Sequence, residues 1–454
     1  MSGSLHDVKN EVWMKTVVIG IALIVVGAVA FVAFSQVIGG AKHTEYEELK
    51  DDYEAAHQAY TVASEEYAFA KSRWNNDNNQ TDTAIHQEYL DAKATYDAAK
   101  VTKEDAHEEE IAAHLSYLTW ETAGKTILVM FTIYAAFYIV AGFFNSIQPE
   151  EEQHHGDDHE EHHGSASPII MASGILLFMM GFPGFVDTCK SMLDIDIAAD
   201  WGGFGLSVLG LIITIMGIGN WWREDMKGHH EQVANSHPFA GQDIRKAGMW
   251  IFLISETMVF ASFFSSYLRM RTEWCTEWAK DAGQCTGETV VTASDLLRHD
   301  IATLLPGAIN TFALIISSYT IVLALKAAKN VNWEPSSNKM IAKLFPTRKK
   351  AVRNYLIITL ALGSLFIVLK LVEWSHLIAE GFDIDTQAGS IFYVATGAHG
   401  LHVFIGLLVM LFMIFKADEI GYDEKNGQGI EYFGLYWHFV DLAWVAIFPA
   451  FYLY

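Results

Sequence analysis

Two stretches near the end of the chain, GSIFYVATGAHGLHVFIGLLVMLFMIF (Gly389 to Phe415) and YFGLYWHFVDLAWVAIFPAFYLY (Tyr432 to Tyr454), decide how the rest is read. Each is long and apolar enough to cross ~30 Å of hydrocarbon at 1.5 Å per residue. Each also carries groups that are costly in lipid unless they find partners: His399 and His402 in the first, His438 and Asp441 in the second.

Working outward, the same pattern recurs along all 454 residues, of which 51% are hydrophobic. Apolar runs at about 13–39, 122–146, 168–188, 203–222, 244–268, 303–327, 352–375, 390–415 and 432–454 predict nine membrane helices. The expected fold is all-α, a polytopic helical membrane protein. The run from Val17 to Val37 exceeds the 7–15 residues of a signal-peptide core, and the MSGSLHDVKNEVWMK before it is nearly neutral, so it reads as a retained anchor.

Loop charges set an expected orientation. Lys339, Lys343, Arg348, Lys349 and Lys350 share one side with Arg223 and Lys227, whereas the loops near 189–202 and 376–389 are almost free of Lys and Arg. The positive-inside rule then puts the N-terminus inside and the C-terminus outside. The formal net charge of −24 lies mainly in 44–115 and 149–161, which argues against nucleic acid as a partner and fits either a solvated surface or attraction of a basic electron carrier.

Between the first two spans, residues 40–121 are polar and carry a heptad. Tyr46, Tyr53, Tyr60, Tyr67 and Trp74 recur every seven residues, with Leu49, Ala56, Ala63 and Ala70 three positions later. Ile85, Ala92, Ala99, Ala106 and Ala113 form a returning seam, joined by Tyr89, Tyr96 and Tyr117. The turn-forming NNDNNQTD (Asn75 to Asp82) separates them, so the pattern predicts an antiparallel coiled-coil hairpin reaching ~45 Å from the membrane. It reads either as a spacer or as a docking arm for a subunit or electron donor.

The segment PEEEQHHGDDHEEHHGSASP (Pro149 to Pro168) is an acidic linker whose His154, His155, His159, His162 and His163 suit loose divalent-metal binding or plain solvation. It divides the chain into 1–146, two membrane helices bracketing the hairpin; 147–167, the linker; and a seven-helix domain, 168–454. Cys275 and Cys285 fall in one outer loop, where they would be either bridged or free; Cys189 lies at another span end.

Other intramembrane polar groups narrow the function. Glu256 sits mid-span in MWIFLISETMVFASFFSSYL (Met249 to Leu268) and reads as a proton-linked acid or a packing acid. Glu373 follows Lys370 by three residues, on one helix face, where an ion pair lowers the cost of both. His399 and His402 are three apart beside Gly397 and Gly400. A metal reading competes there with hydrogen-bonded packing, and few other intramembrane histidines are at hand. There is no Walker loop, no dinucleotide fingerprint, no GxSxG and no HExxH.

Together these residues resemble subunit III of the haem–copper oxidases, the cytochrome c oxidase family. GSIFYVATGAHGLHVFIG is similar to that family's sixth helix and YWHFVDLAW to its seventh. NWWREDMKGHH (Asn220 to His230) resembles the turn after its second helix, and Arg245 to Leu268 with Glu256 its third. LPGAINTFALIISS (Leu305 to Ser318) resembles the fourth and Leu362 to Trp374 with Glu373 the fifth. The likeness covers about 168–454. Residues 1–145 have no counterpart in the family pattern, and Lys370 stands where glutamine is usual.

The resemblance implies a subunit without haem, copper or other metal of its own. It would lie beside oxidase subunits I and II of a prokaryotic plasma membrane, with haem and copper in those partners and phospholipid in a cleft between its first two helices and the other five. Cytochrome c or another donor would approach near the hairpin. By position, Trp222, Arg223, His230, His399, His402 and His438 become lipid or subunit contacts, and Glu256, Glu373 and Asp441 proton-linked or packing groups. Accessory subunits of quinol oxidases or nitric-oxide reductases and an independent proton-linked transporter are the competing readings.

Overall fold

A computed structural model describes residues 5–76, 83–146, 165–192, 198–226, 233–272, 292–293, 295, 301–424 and 426–453. Among them the only non-helical pairing is an isolated bridge, Val233 to Asp243. Among the described residues nine helices are long and apolar enough to cross a membrane, as the sequence predicts.

The first is α1 (Leu5–Phe31), which passes through a π-helical stretch, Val32–Gly39, straight into α2 (Gly40–Asn76). The return helix α3 (Thr83–Ser146) is unbroken over 64 residues, ~96 Å at 1.5 Å each. Each hairpin arm is therefore one rod with its membrane span rather than a separate module. Nothing in either sequence breaks the rods, since residues 5–76 and 83–146 contain no proline.

The two arms run antiparallel in contact. Trp74 meets His86 at 4.4 Å between ring centroids near the tip, and His43 meets Tyr117 at 4.8 Å near the base. Tyr60 and Tyr96 hydroxyls are 3.2 Å apart midway, while Ala63, Ala70 and Ala113 are buried between the helices. Arg73 bridges the arms to Glu88 at 2.6 Å. Histidines the heptad reading did not single out complete the seam: Tyr46 stacks on His114 at 4.6 Å and Tyr53 on His107 at 4.8 Å.

Seven further membrane helices follow: α4 (Ser167–Met192), α5 (Trp201–Met226), α6 (Ile244–Arg271), α7 (Ile301–Lys329), α9 (Arg348–Ala379), α10 (Gln387–Glu419) and α11 (Gln428–Phe448), with the short α8 (Lys339–Leu344) between α7 and α9. A last π-helical turn, Pro449–Leu453, extends α11. Side-chain caps start several of them: Asp243, Thr347 and Thr386 each accept a hydrogen bond from a backbone N–H in the first turn of α6, α9 and α10.

Helices α9, α10 and α11 hold the core, with Phe366, Leu407, Trp437 and Trp444 fully buried. Glycine makes this approach possible. A Cβ on Gly406 would come within 2.6 Å of the Trp437 ring, so the indole lies directly on the α10 backbone. Helices α4 and α5 pair just as closely: a Cβ on Gly181 would meet the Ser207 nitrogen at 2.6 Å, and Ser207 Oγ donates to the Phe178 carbonyl at 3.0 Å.

Helix α3 ties these parts together. Its Phe137 packs on Trp222 of α5 at 4.4 Å, Tyr138 on Phe415 of α10 at 5.6 Å, and the Tyr134 hydroxyl lies 2.9 Å from Ser364 of α9. At the hairpin end of the bundle, Thr119 is 2.8 Å from His376 of α9. Thr119 already donates to the Leu115 carbonyl, so His376 Nε2–H is the donor between them. At the opposite end Lys15 of α1 reaches Asp418 at 2.6 Å and Glu419 at 2.8 Å on α10, and Arg353 of α9 shares Asp418 at 2.8 Å.

Residues 40–121 produced alone are expected to give a helical circular dichroism spectrum. Ala70→Leu, which forces bulk into the seam, is expected to lower that fragment's stability by about 1–3 kcal/mol. A spectrum dominated by coil would show that the membrane spans, not the seam, hold the hairpin helical.

Candidate functional site

The polar residues singled out within the spans gather into four separate clusters, each joining different helices.

Glu256 of α6 and His402 of α10 form the first, with Oε2 and Nε2 3.1 Å apart. His402 Nδ1 lies 2.7 Å from the Ala398 carbonyl, which can only accept, so Nδ1 carries a hydrogen. A carboxylate facing the lone pair of Nε2 would leave no hydrogen in the bond. The pair therefore holds one proton between its members, as carboxylic acid and imidazole or as carboxylate and imidazolium, and is neutral overall. Neutrality suits its depth in the membrane. Tyr436 of α11 donates to the His402 carbonyl at 2.7 Å and fixes the local backbone.

His399 faces elsewhere. Its Nε2 lies 3.0 Å from the Val440 carbonyl of α11, with the Phe366 and Trp444 rings at 5.2 and 5.3 Å, and its Nδ1 is buried with no hydrogen-bond partner. The two histidines thus turn to different neighbours. Among the described residues no three His, Cys, Asp or Glu side chains gather as a metal site. The flanking glycines also differ: a Cβ on Gly397 would touch Trp374 at 3.4 Å, whereas Gly400 faces open space.

The third cluster is Lys370, Glu373 and Tyr452. Lys370 Nζ is 2.7 Å from Glu373 Oε1, and both side chains are only 4% exposed. Tyr452, in the last turn of the chain, donates to Glu373 and accepts from Lys370, closing a three-membered ring of hydrogen bonds. Four aromatic faces surround the ammonium: Tyr452 at 4.7 Å, Phe392 at 5.0 Å, Trp444 at 5.3 Å and Trp374 at 5.8 Å. Such faces attract a cation that has lost its water.

The fourth joins α7 to α11. Ser318 donates to Asp441 Oδ2 and lies 2.7 Å from His438 Nδ1. This is not a catalytic Ser-His-Asp relay, in which histidine bridges the other two; here serine is the bridge. Asp441 Oδ1 is buried with no hydrogen-bond partner.

Trp222 and Arg223 lie apart from these clusters. The Trp222 ring is held between Phe137 and Phe412, at 4.4 and 5.3 Å, and Arg223 lines a small cavity with Asn145, Phe144 and Phe415. His230, Cys275, Cys285 and the histidines of the linker lie outside the described residues. Ser318, Tyr436 and Tyr452 are the participants the sequence reading missed. A hydroxyl within a span costs little, so only its place in the fold marks it out.

A family profile described as Cytochrome c oxidase subunit III matches residues 301–454. The chain is 32% identical over 208 residues to the cytochrome c oxidase subunit 3 of Alkalihalophilus pseudofirmus, an alignment covering 45% of this chain and 84% of that protein. It is 29% identical over 208 residues to the cytochrome bo(3) ubiquinol oxidase subunit 3 of Pseudomonas putida, again 45% of this chain and 84% of the other. A heme-copper oxidase subunit I+III of Aeropyrum pernix is 26% identical over 292 residues, 63% of this chain and 30% of that one. The chain belongs to the haem–copper oxidase subunit III family.

Removing one member of the Lys370–Glu373 pair strands the other in an apolar interior. Lys370→Met is expected to cost about 3–5 kcal/mol, while Lys370→Met with Glu373→Leu is expected to be near neutral. Thermal unfolding in detergent checks both, and equal losses in the single and double variants would mean that the pair's charges do not matter.

Proposed function

We propose that this chain works as the non-redox membrane subunit of a haem–copper terminal oxidase, beside a haem-bearing subunit that reduces oxygen to water and moves protons. The observation that carries the reading is the correspondence with oxidase subunits 3, whose matched regions take in 84% of two relatives and 45% of this chain. The relatives' names include both quinol and cytochrome c oxidases, and the reading concerns what these share. Association with a subunit I draws support from the Aeropyrum pernix relative, whose name joins I and III.

Within that assembly Glu256 and His402 are suited to a proton-linked role, since their bond holds a proton that either atom can carry. Glu373 and Asp441 serve packing: the first is enclosed with Lys370, and the second is tied to Ser318. Trp222 and Arg223 suit lipid contact, an indole beside a guanidinium that pairs readily with phosphate. The chain lies in a prokaryotic plasma membrane with its N-terminus inside and C-terminus outside, on the loop charges already described. The hairpin then stands on the outer side as an arm for a neighbouring subunit or electron donor.

A tag on this chain, purified from native membranes, is expected to recover a haem-bearing partner, and the chain separated from it to show no Soret band. A stoichiometric haem signal in the separated chain would overturn the non-redox assignment. Glu256→Gln is expected to leave assembly intact while activity decays faster during turnover; an unchanged decay would reduce Glu256 to a structural part.

A further inference from the structure

The hairpin seam is built from rings that can be oxidised. Apart from its histidines, every ring on the seam is tyrosine or tryptophan, although phenylalanine would fill the same space between the alanines. Phe69, the hairpin's one phenylalanine, lies off the seam and is exposed. Residues 40–121 contain no cysteine and no methionine, so an oxidising equivalent that reaches the hairpin comes to rest on a phenol or an indole.

The rings form a file from the tip to the membrane. Trp74 stacks on Tyr89 at 6.5 Å between centroids, Tyr89 meets Tyr67 at 5.8 Å, Tyr67 stacks on Tyr96 at 5.0 Å and Tyr96 meets Tyr60 at 5.4 Å. Below Tyr60 the file continues along α2 through Tyr53 and Tyr46 in steps of seven residues, ~10.5 Å each. It then crosses at 6.5 Å to Tyr117, one turn from Trp120, which stacks on Phe34 where the arms enter the membrane. Proton acceptors accompany the file, and a phenol that gives up an electron must also give up its proton. The Tyr60 and Tyr96 hydroxyls are bonded to each other, and below them imidazoles lie against the rings: His107 on Tyr53, His114 on Tyr46 and His43 on Tyr117.

We propose that this file is a one-electron conduit that carries oxidising equivalents from the membrane surface to the hairpin tip, where a soluble hydrogen-atom donor such as a thiol discharges them. An oxygen-derived oxidant such as hydroxyl radical takes an electron and a proton from Tyr117 and becomes water, leaving a tyrosyl radical. Each exchange along the file passes one electron and one proton back from the next ring and restores the phenol behind it. At the tip the Trp74 radical takes an electron and a proton from the thiol, which leaves as a thiyl radical. The inference rests on the reading under Proposed function only for the source of the oxidant, an oxygen-reducing neighbour; the conduit itself needs this chain alone.

The test uses the full chain in detergent with Cys189→Ser, Cys275→Ser and Cys285→Ser, and with Ser72→Cys, exposed near the tip, carrying a ruthenium polypyridyl photo-oxidant. Flash oxidation with a nitroso spin trap present, followed by peptide mass spectrometry, is expected to place adducts on Tyr117 or Trp120 as well as near the tip. Tyr60→Phe with Tyr96→Phe keeps the rings but widens the break between Tyr67 and Tyr53 to ~21 Å, and is expected to lower the base adducts about tenfold or more with the helical circular dichroism spectrum unchanged. Tyr60→Trp with Tyr96→Phe puts an oxidisable ring back and is expected to restore them, a rescue that packing alone would not give. Base adducts that are absent from the chain with all its tyrosines, undiminished in the double phenylalanine variant, or not restored by the tryptophan overturn the conduit and leave the oxidase assignment standing. A tagged chain that recovers no haem-bearing partner overturns that assignment and leaves the conduit standing.

Discussion

Polar side chains at hydrocarbon depth are drawn to partners inside the protein, and the arrangement of this bundle follows from that constraint, although His399 Nδ1 and Asp441 Oδ1 remain without one. Water offers no fallback there, so a bond between two helices is both a fastening and a specification of register. Glu256 to His402 fixes α6 against α10, His399 to Val440 fixes α10 against α11, and Ser318 to Asp441 fixes α7 against α11. The Trp437 indole donates to Ser317 and the Trp444 indole to Thr311, which anchors α11 on α7 at two further levels. Apolar packing alone distinguishes poorly between registers, because lipid tails are as apolar as the helices.

The added N-terminal region obeys the same rule at its ends. Helix α3 meets α5 and α10 by aromatic packing in its span and α9 by the Tyr134–Ser364 hydrogen bond, and polar bonds fasten both extremities: Thr119 to His376 at the hairpin end, and Lys15 of its partner α1 to Asp418 and Glu419 at the other. Because α2 and α3 continue their spans without a break, a force on the hairpin acts on the whole length of each rod. The π-helical stretch Val32–Gly39 is the one place where the first rod departs from α-helical geometry. It lies beside Gly124, whose lack of a side chain admits Ser35 against the α3 backbone.

Much of this was legible in the sequence because length, hydropathy and heptad spacing are local. The nine spans, the seam alanines Ala63 and Ala70 and the i, i+3 pairing of Lys370 with Glu373 needed only the order of residues. Partnership across helices was less legible. The sequence shows His399 and His402 as a pair, whereas the fold separates them, one toward α11 and the other toward α6. Tyr452 lies far along the chain from Lys370 and has no periodic relation to it, so no spacing rule connects them. Nor did the heptad reveal His107 and His114 as stacking partners of tyrosines, since a histidine in a polar helix looks the same whether it faces water or a ring.

Lys370 shows what one such contact does for a buried polar group. A lysine amine brings several N–H donors into the interior, and Glu373 alone would leave some of them without partners. The π-helical turn Pro449–Leu453 supplies what is missing: it carries Tyr452 back over α9, where its hydroxyl bridges Lys370 and Glu373 and its ring joins three others around the Lys370 amine. With Phe451 and Tyr452 both buried, the Pro449–Leu453 turn is part of the core. The enclosed lysine and the conformation of a segment 82 residues further along are a single feature of the fold.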